Sequence, residues 1–204
     1  MNYLSLSLLA GPSEDKIFGS FLGNHIKVNS YHKYNEETLE GVRLNKSIDD
    51  FTNSHPSFQK SIERLSPKFR KYGKPLIRLF YDHFLAANWN KYSKRPLKEH
   101  AAHIYEVLSN RSAILPYKAG KIFPMMVKTD WLHSQAELKG TFICMKDLIR
   151  LTILQSNQEN AFTELMENYQ QFRADFEVFF PDLSRFVKEQ NLETGRFVIH
   201  ELVA

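Results

Sequence analysis

The chain is poor in several things that would each have named a class. It has one cysteine, Cys144, in 204 residues. That excludes an internal disulfide framework and a cysteine-rich zinc site, and makes the reducing cytoplasm the natural setting. No apolar run approaches the roughly 20 residues that cross a bilayer, so no membrane partner is expected. The apolar opening from Met1 to Ala10 lacks a basic start and breaks at Gly11-Pro12, which reads as domain and not as a secretory leader. Sustained polar/apolar alternation is missing, which removes a sheet as the main architecture. There is no Gly-x-x-x-x-Gly-Lys phosphate loop, no Gly-x-Ser-x-Gly elbow, no His-Glu-x-x-His pair and no internal repeat.

What is present is helical periodicity, with 43% hydrophobic and 13% aromatic residues to bury. The expectation is an all-α, single-domain helical bundle over residues 1–190, followed by a tail over 191–204 in which Phe197-Val198-Ile199 forms a short strand or a docked arm. Ser13 caps a helix through Ile17, Phe21 and Leu22, in which Gly19, Ser20 and Gly23 make a narrow side suited to close packing or a ligand. Asn35 opens a second helix that ends at His55-Pro56, because the residue before proline avoids the helical region. Asn45 and Asp49, four apart, share one face of it. Ser66-Pro67, Arg95-Pro96 and Leu115-Pro116 mark further starts, and a helix is expected from Gly140 to Leu154. A last long helix places Phe162, Leu165, Tyr169, Phe172, Phe176 and Phe179 in one apolar seam, ended by Pro181.

The stretch from Arg78 to Trp89 organises the rest. Its apolar side chains surround the axis, which is how a helix inside a bundle reads. Asp82 and His83 therefore need a partner, because a buried ionisable group is costly without one. Arg78, at the i,i+4 spacing from Asp82, is one candidate, and a metal held between facing helices is another. His100 and His103 share a helix face, but Lys98 and Glu99 beside them point to a wet surface. Cys144 reads as packing.

Charge is segregated. Between residues 60 and 98 lie eleven basic residues against only Glu63 and Asp82. Such a field steers an anionic partner, whether an acidic protein, a phosphorylated small molecule or nucleic acid, or else is a solvated lysine surface. No aromatic-and-basic recognition motif points to nucleic acid.

Several blocks, taken in order, carry a resemblance. They are Met1-Asn2-Tyr3-Leu4, Gly19-x-Phe21-Leu22-Gly23, Gly41-Val42, Ile48-Asp49-x-Phe51-Thr52-x-x-His55-Pro56, Tyr81-Asp82-His83-Phe84-Leu85-Ala86-x-x-Trp89 and Asp130-Trp131-Leu132. Together the chain resembles the acyl-carrier-protein phosphodiesterases, a family related to the HD-type metal phosphohydrolases, in register from the first residue to about Lys188. The resemblance implies an HD-like all-α fold and metal-assisted hydrolysis, with manganese or magnesium, of the diester that joins 4′-phosphopantetheine to holo-acyl carrier protein. It implies Asp82, His83, Asp49, Asp130 and Arg150 as catalytic candidates, and Asp82, Asn24 and Asn45 as the metal set. Acyl carrier protein is small and acidic, so Lys68, Lys71 and Lys74 become its candidate docking residues.

The departures from the family pattern fall at polar positions. Leu6 stands where the family carries histidine, Asn24 replaces an aspartate, Asn45 replaces a histidine, and of an arginine pair only Arg150 remains. Neutral amides hold magnesium or manganese less strongly than carboxylate or imidazole. The replacements imply a cation site, and with it a hydrolysis, that is weak or lost unless His25 or Asp147 supplies a substitute ligand; the alternative is a chain that binds acyl carrier protein or its pantetheine arm without cutting.

Overall fold

The computed structural model describes residues 3–65, 67–70, 72–151 and 158–193. These form twelve α-helices and no strand. The tail expected over 191–204 lies, from residue 194 onward, outside the described residues. Among the described residues no helix is long and apolar enough to cross a membrane.

Helix α1 (Tyr3–Leu9) and α2 (Glu14–Leu22) are joined through Gly11, whose φ of 76° is one that L side chains rarely adopt. The Ser13 hydroxyl accepts the Lys16 N–H at 3.2 Å and starts α2. Asn35 starts α3 (Glu36–Ser54) in the same way, accepting from Thr38 N at 2.8 Å. Helices α2 and α3 then lie backbone to backbone. A Cβ on Gly19 would fall 1.9 Å from the Thr38 carbonyl oxygen, and one on Gly41 2.1 Å from that of Lys16. The small residues of α2 thus serve close packing.

At His55 one helix stops and the next begins. Its Nδ1 accepts the Ser57 N–H at 3.2 Å, and Pro56 occupies the first turn of α4 (Pro56–Arg64), where a missing N–H costs nothing. Helix α5 (Pro67–Arg70) leads to α6 (Gly73–Ala87), in which every residue from Leu79 to Ala86 is buried. Then come α7 (Leu97–Asn110), α8 (Tyr117–Lys128), α9 (Trp131–Ser134), α10 (Leu138–Leu151), α11 (Gln158–Glu167) and α12 (Tyr169–Glu193). Helix α6 is the axis of the bundle, packed against α1, α4, α10 and α12. Its aromatic rings meet those of α12: Phe80 lies 5.6 Å from Phe172, and Tyr81 5.0 Å from Phe179, between centroids.

The expected last helix needs correction at two points. The seam is divided, with Phe162 and Leu165 on α11 and the rest on α12, and Asn168 at the break donates from Nδ2 to the Glu164 carbonyl at 3.2 Å. Pro181 does not end the helix, because α12 runs through it to Glu193. A helix-interior proline costs about 3 kcal/mol, but Pro181 is on the exposed side while Phe179, Phe180, Leu183 and Val187 are buried around it. Each such side chain contributes about 1.5–3 kcal/mol on burial, so packing wins. Helix α10 starts at Leu138 and runs to Leu151; the expected last three residues of that helix lie outside the described residues.

His100 is not on a wet face. It is buried, 4.8 Å from the Trp89 ring and 2.9 Å from Ser7 Oγ, while Lys98 and Glu99 point outward. Cys144 is buried packing.

Candidate functional site around helix α6

Four polar side chains leave α6 in different directions, and each is answered by a different part of the fold. Arg78 turns to α3, with Nη2 at 2.7 Å from Asp49 Oδ1 and donating to Asn53 Oδ1 at 3.1 Å. Asn53 Nδ2 in turn donates to Asp49 Oδ2 at 3.2 Å. The expected Arg78–Asp82 pair is therefore not formed: the guanidinium goes to the carboxylate of a neighbouring helix. Burial raises the Asp49 pKa, but the Arg78 charge and the Asn53 hydrogen bond are among the contacts that hold it, on balance, below the ordinary value.

Asp82 turns to the start of α1. Its Oδ2 accepts the Leu4 N–H at 3.1 Å, and its Oδ1 accepts both the Ser5 N–H at 3.4 Å and the Ser5 hydroxyl. The carboxyl is fully buried. Burial pushes its pKa up to about 7, against the downward pull of the Ser5 and Leu4 hydrogen bonds.

His83 turns to the α9–α10 junction. Its Nδ1 lies 2.7 Å from the Gln135 carbonyl oxygen, which can only accept, so Nδ1 carries the proton. Nε2 is then the acceptor for the Tyr169 hydroxyl at 2.9 Å. Thr141 Oγ1 stands 3.0 Å from Nδ1 as well. Burial lowers the imidazole pKa more than the Gln135 bond raises it, so the ring is held neutral. Tyr81, the fourth, lies 3.0 Å from Ser61 Oγ, which donates to Asp175 at 2.9 Å.

The remaining candidates are dispersed. Asp130 precedes α9 at φ 45°, half-exposed, 3.1 Å from His133 Nδ1. Asn24 is exposed just after α2. Asn45 is buried and donates from Nδ2 to the Ser20 carbonyl at 2.7 Å, so its amide ties α3 to α2. Leu6 lies in the apolar core at 1% exposure. Of the two substitutes, His25 faces Tyr3 Oη at 3.2 Å and Asp147 is buried on α10. Lys74 is exposed; the side chains of Lys68 and Arg150, and Lys71 as a whole, lie outside the described residues.

The named set does not fit a divalent cation. Asp82 is fully buried and already accepts three hydrogen bonds from α1, the Asn45 amide is oriented by its Nδ2 bond to the Ser20 carbonyl and brings no charge, and Asn24 stands apart in solvent. Among the described residues no three His, Cys, Asp or Glu side chains converge as a metal site. The partners that sequence reasoning missed are Ser5 at Asp82, and Gln135, Thr141 and Tyr169 at His83. They lie 77, 52, 58 and 86 positions away, and no local pattern marks them.

Comparison with known proteins places this chain in a family. A family profile described as acyl carrier protein phosphodiesterase matches residues 1–183. The chain is similar to the acyl carrier protein phosphodiesterase of Photorhabdus laumondii, at 24% identity over 190 residues, covering 89% of this chain and 92% of that protein. It is similar to that of Pectobacterium atrosepticum at 24% over 196 residues, covering 94% and 100%. No solved structure matches it.

Proposed function

The chain belongs to the acyl carrier protein phosphodiesterase family, and from that membership we propose that it recognises acyl carrier protein while cleaving the 4′-phosphopantetheine diester weakly or not at all. The observation that carries this reading is the engagement of Asp82. A carboxylate that serves diester hydrolysis must offer a lone pair to a cation or to the attacking water. Here three hydrogen bonds from the first turn of α1 take most of the carboxylate's roughly four acceptor sites, the group is fully buried, and both nitrogens of His83 are bound by Gln135 and Tyr169. Neither group is released without loosening the bundle. Leu6, Asn24 and Asn45 point the same way, because two are built into packing and none carries charge.

A second reading, retained hydrolysis, is favoured by one observation, the match running from residue 1 to residue 183 and taking in Asp49, Asp82, His83 and Asp130. One experiment separates the two. Incubate the protein with holo-acyl carrier protein and manganese, and follow loss of the phosphopantetheine mass from the carrier. The proposal expects a salt-sensitive complex and no release above a metal-free blank. Multiple turnovers with manganese would overturn the loss of chemistry, and failure to form any complex at low salt would overturn the recognition.

A further inference from the structure

The basic run over residues 60–98 is the obvious place for an acidic partner in the sequence, but folding neutralises part of it. Lys60 and Arg64 sit 3.6 and 3.0 Å from Asp175, and Arg78 sits 2.7 Å from Asp49. Elsewhere lysines are left over, although Lys16 is paired with Glu40 at 3.0 Å. Residues 16–35 and residues 107–129 contain no Asp or Glu at all, and the structure brings these two distant segments side by side. Helix α2 packs on α7. Where they meet, Arg111 closes onto Glu14 and Asp15 at 3.3 and 3.0 Å. Further along, Lys118 at the start of α8 stands near enough to His25 to add to the lowering of its pKa by burial.

The surface so assembled combines charge with exposed apolar area. Val28, three residues after His25, is 75% exposed, and Tyr117, beside Lys118, is also 75% exposed, with Ile114 at 54% three residues before it. Lys121 caps the Tyr117 ring at 4.3 Å. Helix α8 turns Ala119, Phe123 and Met126 inward, so Tyr117, Lys118 and Lys121 are left outward. Among the described residues no carboxylate lies within ion-pair distance of Lys27, Lys118 or Lys121. An apolar patch carrying uncompensated ammonium groups suits a partner whose helices present carboxylates around an apolar strip. The surface also adjoins the start of α1, since Tyr3, which bonds His25, precedes the Leu4 that Asp82 holds.

We infer that Lys27, Lys118 and Lys121, with Val28, Ile114 and Tyr117, form the surface on which acyl carrier protein docks. The inference rests on the carrier reading above and replaces the 60–98 run as the docking face. It is tested by titrating holo-acyl carrier protein into the full chain at two salt concentrations. The double variant Lys118→Glu, Lys121→Glu weakens the complex about tenfold or more and flattens its salt dependence. Tyr117→Ala weakens it about fivefold with the salt dependence kept. Lys74→Glu with Lys94→Glu, exposed on the other run, changes it by less than about threefold. Thermal melts confirm that the variants fold. If the Lys74, Lys94 variant loses binding and the Lys118, Lys121 variant keeps it, the docking face is wrong and the carrier reading stands. A wild-type chain that binds no carrier, or binds an oligonucleotide through Lys118 and Lys121 instead, overturns both.

Discussion

Asp82, in the middle of α6, accepts the backbone N–H of Leu4 at 3.1 Å across 78 positions of sequence. Helix α1 has no acidic residue in its own first turn. Its unpaired N-terminal N–H groups, and the positive end of its dipole, are answered by a side chain from another helix. An aspartate that would read as an active-site acid is in this fold the cap of the first helix.

Replacing it separates those roles. Between about pH 4 and pH 7 the folded chain keeps a proton on Asp82 that the unfolded chain has released, because its pKa is raised to about 7. Stability from this group is thus full below the unfolded value and falls as pH rises through 7, by up to about 4 kcal/mol. Asp82→Asn removes that fall. Urea unfolding at half-unit steps from pH 4.5 to 8 should show the variant gaining on the parent toward high pH, and parallel curves would refute it. Asp82→Ala strands the Leu4 and Ser5 donors and costs about 2–4 kcal/mol.

The histidines slope the other way. Burial lowers the pKa of His83, and burial followed by Arg95 and His103 lowers that of His100 to about 4. The unfolded chain then binds protons first, so stability is complete above about pH 6.5 and is lost as pH falls below it. The Asp82 and histidine effects oppose one another in the parent between about pH 4 and 6.5, so its acid-side loss is smaller than the two histidines alone would give. In Asp82→Asn the acid-side loss should emerge uncancelled in the same unfolding series.

The α2–α3 contact sets a steric test. Gly41→Ala puts a methyl 2.1 Å from the Lys16 carbonyl oxygen, and a loss of about 3 kcal/mol or more is expected. Gly120→Ala, on α8 with nothing within 4 Å, should instead gain about 0.5–1 kcal/mol from helix propensity. Melting temperatures of the two variants should move in opposite directions.

Asn45 offers a test of what a lost ligand position has become. Its Nδ2 donates to the Ser20 carbonyl at 2.7 Å. Asn45→Asp sets a carboxylate against that oxygen without a donor and should cost about 2 kcal/mol. Millimolar manganese should not restore the melting temperature, because among the described residues no three His, Cys, Asp or Glu side chains gather to hold a cation. Full rescue by the cation would show that the site is still built for metal.

Much was legible in the chain because the signals are local. Ser13 and Asn35 start helices, and His55-Pro56 divides two, because a cap or a proline acts on backbone within a few residues of itself. The burial of Arg78 to Trp89 follows from apolar side chains on all sides of one helix. The resemblance at Ile48 to Pro56 and Tyr81 to Trp89 identified the family. Pro181 misled for a physical reason: its local cost is real, but the buried phenylalanines on either side of it outweigh that cost.

Composition and periodicity by themselves determined that this chain is an all-helical domain built around α6, and that Asp82 and His83 are buried in it. Which groups answer them was decided only by tertiary packing. A buried carboxylate takes whichever donors lie within about 3 Å, and neighbours at that range come from α1, dozens of residues away. The same packing pairs the basic run with Asp175 and Asp49, and brings together two carboxylate-free segments in which Lys27, Lys118 and Lys121 have no ion pair among the described residues, because charge in space follows helix contacts and not sequence order.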